Sequence, residues 1–243
     1  MRIHRVHTHQ SLEPGSEIVI GGKAAHDLGR VLRLSIGDVI VLFNGDGHDY
    51  VSELVRLGKS EVALALTSRL PAAGESVMRI TIAQAISRGE RMDQTLQKCT
   101  ELGATCFQPL LSERIEVKLN AERLLSRVEH WQGVVISACE QSGRAVIPEI
   151  LYPVNLREWL AAKTGDCRLV LAPGAERPLA GMEFSGRVQL AVGPEGGFSE
   201  SELEQMVFQG VQAVSLGPRV LRTETAAPAA VAVIQALAGD FAA

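Results

Sequence analysis

One stretch of the chain decides how the rest is interpreted: Leu190-Ala191-Val192-Gly193-Pro194-Glu195-Gly196-Gly197-Phe198-Ser199. Its first three residues are apolar, as in a buried strand. Ser199, with Glu202 three positions later, predicts a helix that begins in a capping box. A loop rich in glycine and proline therefore joins a strand to a helix, which is where α/β proteins bind ligands. The loop has neither the Walker ending nor the G-x-G-x-x-G dinucleotide spacing, and alone it is more often a tight turn than a site.

A second loop of the same kind follows a strand predicted around residues 213–215: Leu216-Gly217-Pro218-Arg219-Val220-Leu221-Arg222-Thr223-Glu224-Thr225-Ala226. Parallel neighbouring strands would bring both loops to the same edge of a sheet. The pair therefore favours a ligand site over two unrelated turns. Because the loops expose many backbone N–H and C=O groups, they suit an adenine-like ring better than a triphosphate.

The C-terminal helix predicted at residues 227–238 is apolar on nearly every face. Such a helix is either enclosed by its own domain or pressed against another subunit. Thr223 or Thr225 is the predicted N-cap, and Pro228 is expected in the first turn.

The pattern of elements outside these loops predicts two domains joined by a linker. Residues 1–70 are rich in short strands, residues 71–76 form a linker that contains Pro71 and Gly74, and residues 77–243 alternate strands with helices. That alternation is typical of a mostly parallel sheet with helices on both faces. The predicted strands are 18–20, 39–43, 50–57, 62–66, 78–86, 104–110 (ended by Pro109), 169–172 and 188–192, and the predicted helices are 22–34, 90–102, 122–142 and 200–208.

Composition limits the class of protein. The 243 residues are 46% hydrophobic and 21% charged, with a net charge of -4, which argues against a disordered chain and against indiscriminate coating of nucleic acid. No run approaches the roughly 20 apolar residues of a membrane helix, and the N-terminus lacks the apolar core of a signal peptide. We therefore expect a cytoplasmic protein without a membrane partner. The four cysteines have neither zinc spacing nor a disulfide pattern, so free thiols are expected.

The N-terminal segment carries a mild positive bias. Residues 1–34 contain five Lys or Arg against three Asp or Glu, together with four histidines. A polyanion partner and a solvated surface explain this bias about equally well. The histidine spacing at His4, His7 and His9 favours a wet strand face over a metal site, and no other cluster suggests a metal. Only His130 lies beyond residue 48, which argues against a Ser-His-Asp or Cys-His nucleophile in the larger domain.

The two loops closely resemble those of the RsmE family of 16S ribosomal RNA uridine-N3 methyltransferases, within the SPOUT superfamily. Further blocks extend the resemblance along the whole chain, and their number and order make it specific. These blocks are His26-Asp27-Leu28, Val31-Leu32-Arg33-Leu34, Gly37-Asp38, Ser87-Arg88-Gly89-Glu90-Arg91-Met92, Gln97-Lys98, Glu101-Leu102-Gly103, Ser112-Glu113-Arg114, Cys139-Glu140-Gln141-Ser142-Gly143-Arg144 and Pro148-Glu149.

The resemblance implies an α/β fold with a PUA-like β-barrel at the N-terminus for RNA and a C-terminal SPOUT domain tied in a deep trefoil knot. It implies that the SPOUT domain binds S-adenosylmethionine and forms a homodimer, and that the substrate is a specific uridine in 16S rRNA of the small ribosomal subunit. The cofactor contacts that it implies are Leu171, Pro173, Gly193, Pro194, Glu195, Gly196, Gly197, Leu216, Gly217, Val220, Leu221 and Thr223. The candidate RNA contacts are Arg2, Arg5, Arg30 and Arg33.

Methylation of uracil N3 needs removal of a proton and stabilisation of the charge that develops on O2 and O4, for which a fixed cation is suited. Arg222 is the first candidate and Arg88 the second; for each, the alternative is an RNA phosphate or a carboxylate partner. Glu195 and Glu140 are possible proton acceptors, although water could also take the proton. Two other functions stay open: ribose 2′-O-methylation, and a non-catalytic factor for ribosome assembly.

Overall fold

The computed structural model describes residues 4–26, 28–29, 32, 34–72, 74–115, 121–162 and 164–242. The chain divides into two compact units, one of Met1–Glu75 with Cys139–Ile147 and the other of Ser76–Ala138 with Pro148–Ala243. Three of the four candidate RNA contacts, Arg2, Arg30 and Arg33, lie outside the described residues.

The first unit contains a five-stranded sheet with the strand order β1-β3-β4-β5-β2. β1 runs parallel to β3, and the remaining pairs are antiparallel. Among the described residues the hydrogen-bonded path runs from β1 to β2, which makes this unit a sheet; its closure into a barrel stays a prediction. The elements are β1 (His4–His7), β2 (Glu17–Gly21), α1 (Gly22–His26), β3 (Val39–Phe43), β4 (His48–Leu57) and β5 (Glu61–Pro71).

Apolar side chains from all five strands form the core of this unit, including the fully buried Ile40, Leu54 and Leu64. β3 has the predicted bounds, whereas β5 continues to Pro71, a residue predicted to lie in the linker. Proline is tolerated at this end of β5 because β2 pairs only with its first residues, so no strand on that side needs an N–H. Of the helix predicted at residues 22–34, the first part is confirmed as α1, and residues 27, 30, 31 and 33 lie outside the described residues.

The second unit contains a seven-stranded sheet with the order β12-β10-β11-β6-β7-β8, and β9 also pairs with β7. Every pairing is parallel, as the alternating pattern predicts. The elements are β6 (Arg79–Ala85), α2 (Glu90–Glu101), β7 (Cys106–Leu111), α3 (Ala121–Ser142), β8 (Glu149–Ile150), β9 (Val154–Asn155), α4 (Leu156–Ala161), β10 (Cys167–Leu171), β11 (Arg187–Val192), α5 (Glu200–Phe208), β12 (Gln212–Val214) and α6 (Thr223–Ala238).

Helices cover both faces of this sheet. Successive side chains of a strand point to opposite faces. In β6, Ala83 and Ala85 pack in a cluster with Trp159 of α4 and Met206 of α5. Gln84, which lies between the two alanines, bonds to Thr223 of α6 and so marks the opposite face.

Two expectations about the strands are wrong. β11 and β12 are not neighbours, because β10 lies between them. Pro109 does not end β7 but lies within it, opposite Gln84. It falls at the gap between β8, which pairs with Phe107, and β9, which pairs with Leu110, so the missing N–H breaks no ladder on that side.

The start of α6 also differs from the prediction. Its N-cap is Arg222, without a side-chain cap, rather than Thr223 or Thr225. Pro228 lies inside the helix, one turn later than expected. Among the described residues, none of the helices has the length and apolar character needed to cross a membrane.

Candidate functional site

Three loops meet at one edge of the parallel sheet. We call residues 172–174, after β10, the proline loop; residues 193–199, after β11, the glycine loop; and residues 216–222, after β12, the arginine loop. The three strands are adjacent in the order β12-β10-β11 and parallel. Their carboxyl ends therefore share one edge, which is the usual ligand site of such sheets. The two loops singled out in the sequence therefore reach this common edge, although their strands are not neighbours and the proline loop lies between them.

A cavity of about 500 Å³ lies among the three loops. Its volume is within the range of small-molecule sites. All twelve residues implied as cofactor contacts line it, as do Arg222 and, from α2, Arg91. The remaining lining is largely apolar and includes Val192, Leu203 and Val214.

Close backbone packing shapes the start of the glycine loop. A Cβ on Gly193 would lie 2.9 Å from the Phe198 backbone nitrogen and 3.0 Å from the Gly197 Cα. A side chain therefore cannot be accommodated there without moving the backbone. Gly197 has a φ of 67°, in the left-handed region that glycine adopts most easily.

Side chains from outside the loop fix its middle and its end. Arg114 donates a hydrogen bond of 2.7 Å to the Gly196 carbonyl. Ser199 and Glu202 form the predicted capping box at the start of α5. The buried Glu202 carboxylate also accepts the backbone N–H of Glu113 at 2.9 Å, which ties the end of the loop to the segment after β7.

The Glu195 carboxylate joins the glycine loop to the start of α2. Its Oε1 accepts the backbone N–H of Arg88 at 2.9 Å and the Arg91 guanidinium at 2.6 Å. Burial alone would raise the pKa of Glu195, but these hydrogen bonds and the charge of Arg91 favour the ionised form and hold the pKa below its usual value. Glu195 is therefore a structural anion and a poor proton acceptor.

A buried hydrogen-bond chain links the glycine loop to α6. Gln84, which is fully buried, donates its amide N–H to the Thr223 hydroxyl at 3.0 Å. The Thr223 hydroxyl in turn donates to the Gly193 carbonyl at 2.9 Å. Thr223 therefore connects the two predicted loops instead of capping its helix.

The two candidate catalytic arginines are both exposed, but they occupy different positions. Arg222 lines the cavity among the loops and also a shallower, more open cavity beside it. Of the two cavities, Arg88 lines the shallower one alone, whereas Arg91 and Glu224 line both. The structure thus brings both cations to one side of the site.

The other predicted residues of interest lie in the first unit. The Arg5 guanidinium bonds to the Asp49 carboxylate and, at 3.0 Å, to the Arg144 carbonyl. The Glu140 carboxylate accepts the backbone N–H of His7 at 3.0 Å and does not line either cavity. Burial, followed by the charge of His9, lowers the pKa of His7.

Two site residues, Arg91 and Glu224, were not predicted from the sequence. Arg91 lies in the first turn of α2, where the helix dipole disfavours a cation. That misplaced charge is a signal which could have identified it. Glu224 is only 9% exposed, and nothing in the sequence pattern predicts that this carboxylate is buried.

The remaining side chains that could react or bind a metal are the His, Cys, Asp and Glu residues. Within the described ranges, no group of three or more His, Cys, Asp or Glu side chains could hold a metal ion. All four cysteines are free, with Cys99 and Cys139 buried and Cys106 and Cys167 partly buried. Burial raises the pKa of Cys106 to about 11 and that of Cys139 to about 12, so neither is a nucleophile at neutral pH.

Comparison with known proteins connects this geometry to a family. A model described as an RNA methyltransferase domain matches residues 74–235, and a model described as an RNA methyltransferase PUA domain matches residues 20–66. The ribosomal RNA small subunit methyltransferase E of Synechocystis is 35% identical over 87% of this chain and 70% of its own length. The enzyme of the same name from Buchnera aphidicola subsp. Schizaphis graminum is 31% identical over 99% of this chain and 98% of its own length.

Two solved structures are similar over nearly the whole chain. Ribosomal RNA small subunit methyltransferase E from Neisseria gonorrhoeae, bound to S-adenosyl methionine, is 38% identical with a TM-score of 0.93, covering 99% of this chain and 100% of that one. A methyltransferase from Legionella pneumophila in complex with SAM is 39% identical with the same TM-score of 0.93 and the same coverage. The family indicated by the sequence motifs is confirmed: the chain belongs to the ribosomal RNA small subunit methyltransferase E family, with a PUA-type N-terminal domain followed by an RNA methyltransferase domain.

Proposed function

We propose that this chain transfers the methyl group of S-adenosylmethionine to N3 of a specific uridine in the 16S rRNA of the small ribosomal subunit. The observation that supports this proposal most directly is the convergence of the proline, glycine and arginine loops on one cavity, within a chain of this family. Because small ribosomal subunits occupy the cytoplasm, we place the reaction there.

The residues around the cavity fit the methyl donor. Apolar lining residues such as Leu171, Leu216 and Leu221 suit packing against an adenine ring. The backbone N–H and C=O groups of the glycine loop can form hydrogen bonds with the edge of that ring. The twelve residues implied by the resemblance, and Arg91 in addition, are the proposed contacts. When bound, S-adenosylmethionine supplies an electrophilic methyl group on a sulfonium.

The chain's own part is to orient the uracil and to stabilise charge. Removing the N3 proton leaves negative charge on O2 and O4, and a cation that is fixed nearby lowers the energy of that state. Arg222 lies at both cavities, and none of the ion pairs among the described residues involves it. We therefore assign it this role, with Arg88 as a second cation on the side where the nucleotide enters.

For the first unit we propose rRNA binding, with Arg2, Arg5, Arg30 and Arg33 as contacts. Of these, Arg5 is described, and its charge is already paired with Asp49. Arg5 therefore orders the sheet, and its contact with RNA would compete with this ion pair. We further propose that the sheet closes into a barrel, that the methyltransferase domain contains a deep trefoil knot, and that the chain forms a homodimer. Sedimentation analysis tests the last of these; a mass of two chains is expected.

The test of the activity uses labelled S-adenosylmethionine and small ribosomal subunits from cells that lack the modification. After digestion, nucleoside mass analysis is expected to show uridine methylated on the base at N3. Methyl groups on ribose would instead support a 2′-O-methyltransferase. Binding to the subunit without any methyl transfer would support a non-catalytic assembly factor.

A further inference from the structure

Glu224 is a buried carboxylate, and one of its oxygens lacks a hydrogen-bond donor in the part of the chain that the structure describes. The residue is 9% exposed, although it lies in the first turn of α6, where the helix N-cap Arg222 and the next residue, Thr225, are both exposed. Its Oε2 is buried and has no hydrogen-bond partner among the described residues. Arg91 Nε lies 3.9 Å away, which is close enough for charge attraction but too far for a hydrogen bond. A buried carboxylate oxygen without a donor is costly unless a ligand supplies one.

The position of Glu224 indicates which ligand supplies that donor. It lines the cavity among the three loops, where the methyl donor is proposed to bind, and also the shallower cavity bordered by Arg88 and Gln94. A side chain shared by the two cavities lies where a base entering from one meets a methyl group held in the other. On the uracil ring of a uridine, N3–H is the only N–H donor, and N3 is the atom to be methylated.

We propose that Glu224 is a catalytic residue, which accepts the N3–H of the target uridine and takes its proton during transfer. This inference rests on the proposed function. The N3–H proton passes to Glu224 Oε2, the electron pair left on N3 forms the bond to the methyl carbon, and the carbon–sulfur bond breaks with its electron pair going to sulfur. Uridine and the sulfonium donor give N3-methyluridine and a neutral thioether, and Glu224 then releases the proton to solvent.

The neighbouring carboxylate is less suited to this role. Glu195 is held by the Arg88 N–H and the Arg91 guanidinium, which lower its pKa. By contrast, Glu224 Oε2 accepts no hydrogen bond from the described residues. The charged groups that border the two cavities around Glu224 are Arg88, Glu90, Arg91, Glu195, Arg219 and Arg222.

The test compares Glu224→Gln with the wild type and with Glu204→Gln, a control on the exposed surface of α5. Glutamine keeps the shape of the side chain but cannot take a proton. We expect kcat for N3 methylation to fall about 100-fold, within the range for loss of a general base. Calorimetry should show the affinity for S-adenosylmethionine unchanged within about threefold. Glu204→Gln should match the wild type in both measurements.

The pH profile separates proton transfer from a merely structural role. The rate of Glu224→Gln should rise steadily with pH, because hydroxide and the ionisation of uracil itself replace the missing base. The wild-type rate should instead reach a plateau. Glu224→Asp, which keeps a carboxylate on a shorter arm, should recover part of the lost kcat and stays informative if the glutamine variant does not fold.

Three results would overturn the assignment. They are a wild-type kcat in Glu224→Gln, a pH profile of that variant parallel to the wild type, and a tenfold or greater loss of affinity for S-adenosylmethionine with kcat unchanged. The last result would place Glu224 on the methyl donor. Product analysis separates this inference from the proposed function: a wild-type enzyme that makes no N3-methyluridine refutes both, whereas an active Glu224→Gln refutes only the role of Glu224.

Discussion

The glycine loop and the arginine loop border the same cavity, but the protein holds them in opposite ways. The glycine loop is fixed at its start by Thr223, in its middle by Arg114 and Glu195, and at its end by Glu202. In the arginine loop, by contrast, only the carbonyl of Arg222 accepts hydrogen bonds among the described residues, and Val220 is 80% exposed.

This difference suits the two loops to different parts of the proposed function. A loop that is rigid before the ligand arrives loses little entropy on binding, which suits the side of the cavity where we propose that the methyl donor binds. A loop whose side chains are exposed can present Arg222 to a large RNA substrate. The proposed site therefore combines a preformed cradle on one side with adaptable charge on the other.

Arg222→Ala is expected to have the largest effect on the arginine loop's function. It should lower kcat by about 100- to 1,000-fold, as is typical when a donor that stabilises developing charge is removed. The affinity for S-adenosylmethionine, measured by calorimetry, should stay the same because the cradle is intact. Arg157→Ala, on the exposed side of α4, is the control. Normal turnover by Arg222→Ala would remove this residue from the mechanism.

Gly193→Ala tests whether the rigid shape of the glycine loop matters. The new Cβ would lie within 3.1 Å of backbone atoms of Gly197 and Phe198, so the loop must shift. A displacement of about 1 Å in a binding loop can reduce activity about 100-fold. Gly196→Ala should do much less, since its Cβ would meet the Arg114 side chain at an ordinary 3.5 Å.

Equal effects of the two glycine substitutions on donor affinity would show that backbone crowding is not what shapes the loop. Gly133→Ala, in the exposed middle of α3 with no atom within 4 Å of the new Cβ, serves as the folding control. It should stabilise the protein by about 0.5–1 kcal/mol, because alanine is the better helix former.

Thr223→Val tests the connection between the two loops. Valine keeps the volume but removes the hydroxyl that accepts from Gln84 and donates to Gly193. The Gln84 amide keeps its contacts with the Ala85, Val192 and Gly193 carbonyls, but the short hydrogen bond from Thr223 to Gly193 is lost. The free energy of unfolding should therefore fall by about 0.5–1.5 kcal/mol in urea titrations. Thr225→Val, on the exposed face of α6, should stay within about 0.5 kcal/mol of the wild type. A wild-type stability of Thr223→Val would mean that the loops are not coupled through this residue.

The smallest expected effect is that of Glu195→Gln, and it depends on pH. Because the pKa of Glu195 is held below its usual 4.5, its ionised form stabilises the folded protein at neutral pH. That contribution is present above the usual value and is lost as the pH falls through the lowered one. The difference in unfolding free energy between the wild type and the variant should therefore shrink below about pH 4.5. A difference that stays constant across this range would contradict the ion-pair account.

The sequence predicted well those features that depend on neighbouring residues. α5 has the predicted bounds because Ser199 and Glu202 form a local capping box, and β3 is set by its own apolar run. The position of β10 between β11 and β12 could not be predicted, since strand order depends on how distant segments pack. The same limit explains why Arg91 and Glu224 were missed, since they reach the cavities only when α2 and α6 pack near the loops.

Pro109 and Thr223 show a second limit. Local preferences predict that proline ends a strand and that threonine caps a helix. Pro109 is accommodated because it faces the gap between β8 and β9. The Thr223 hydroxyl bonds to Gly193 and Gln84 instead of capping its helix. In both cases a tertiary contact outweighs the local preference.

The most direct test of the central claim is a crystal structure of this protein with S-adenosylmethionine bound. We predict the adenosine between the proline, glycine and arginine loops, with the methyl group directed toward the shallower cavity, which Arg88, Arg222 and Glu224 line. Electron density for the cofactor at any other place on the chain would contradict the account.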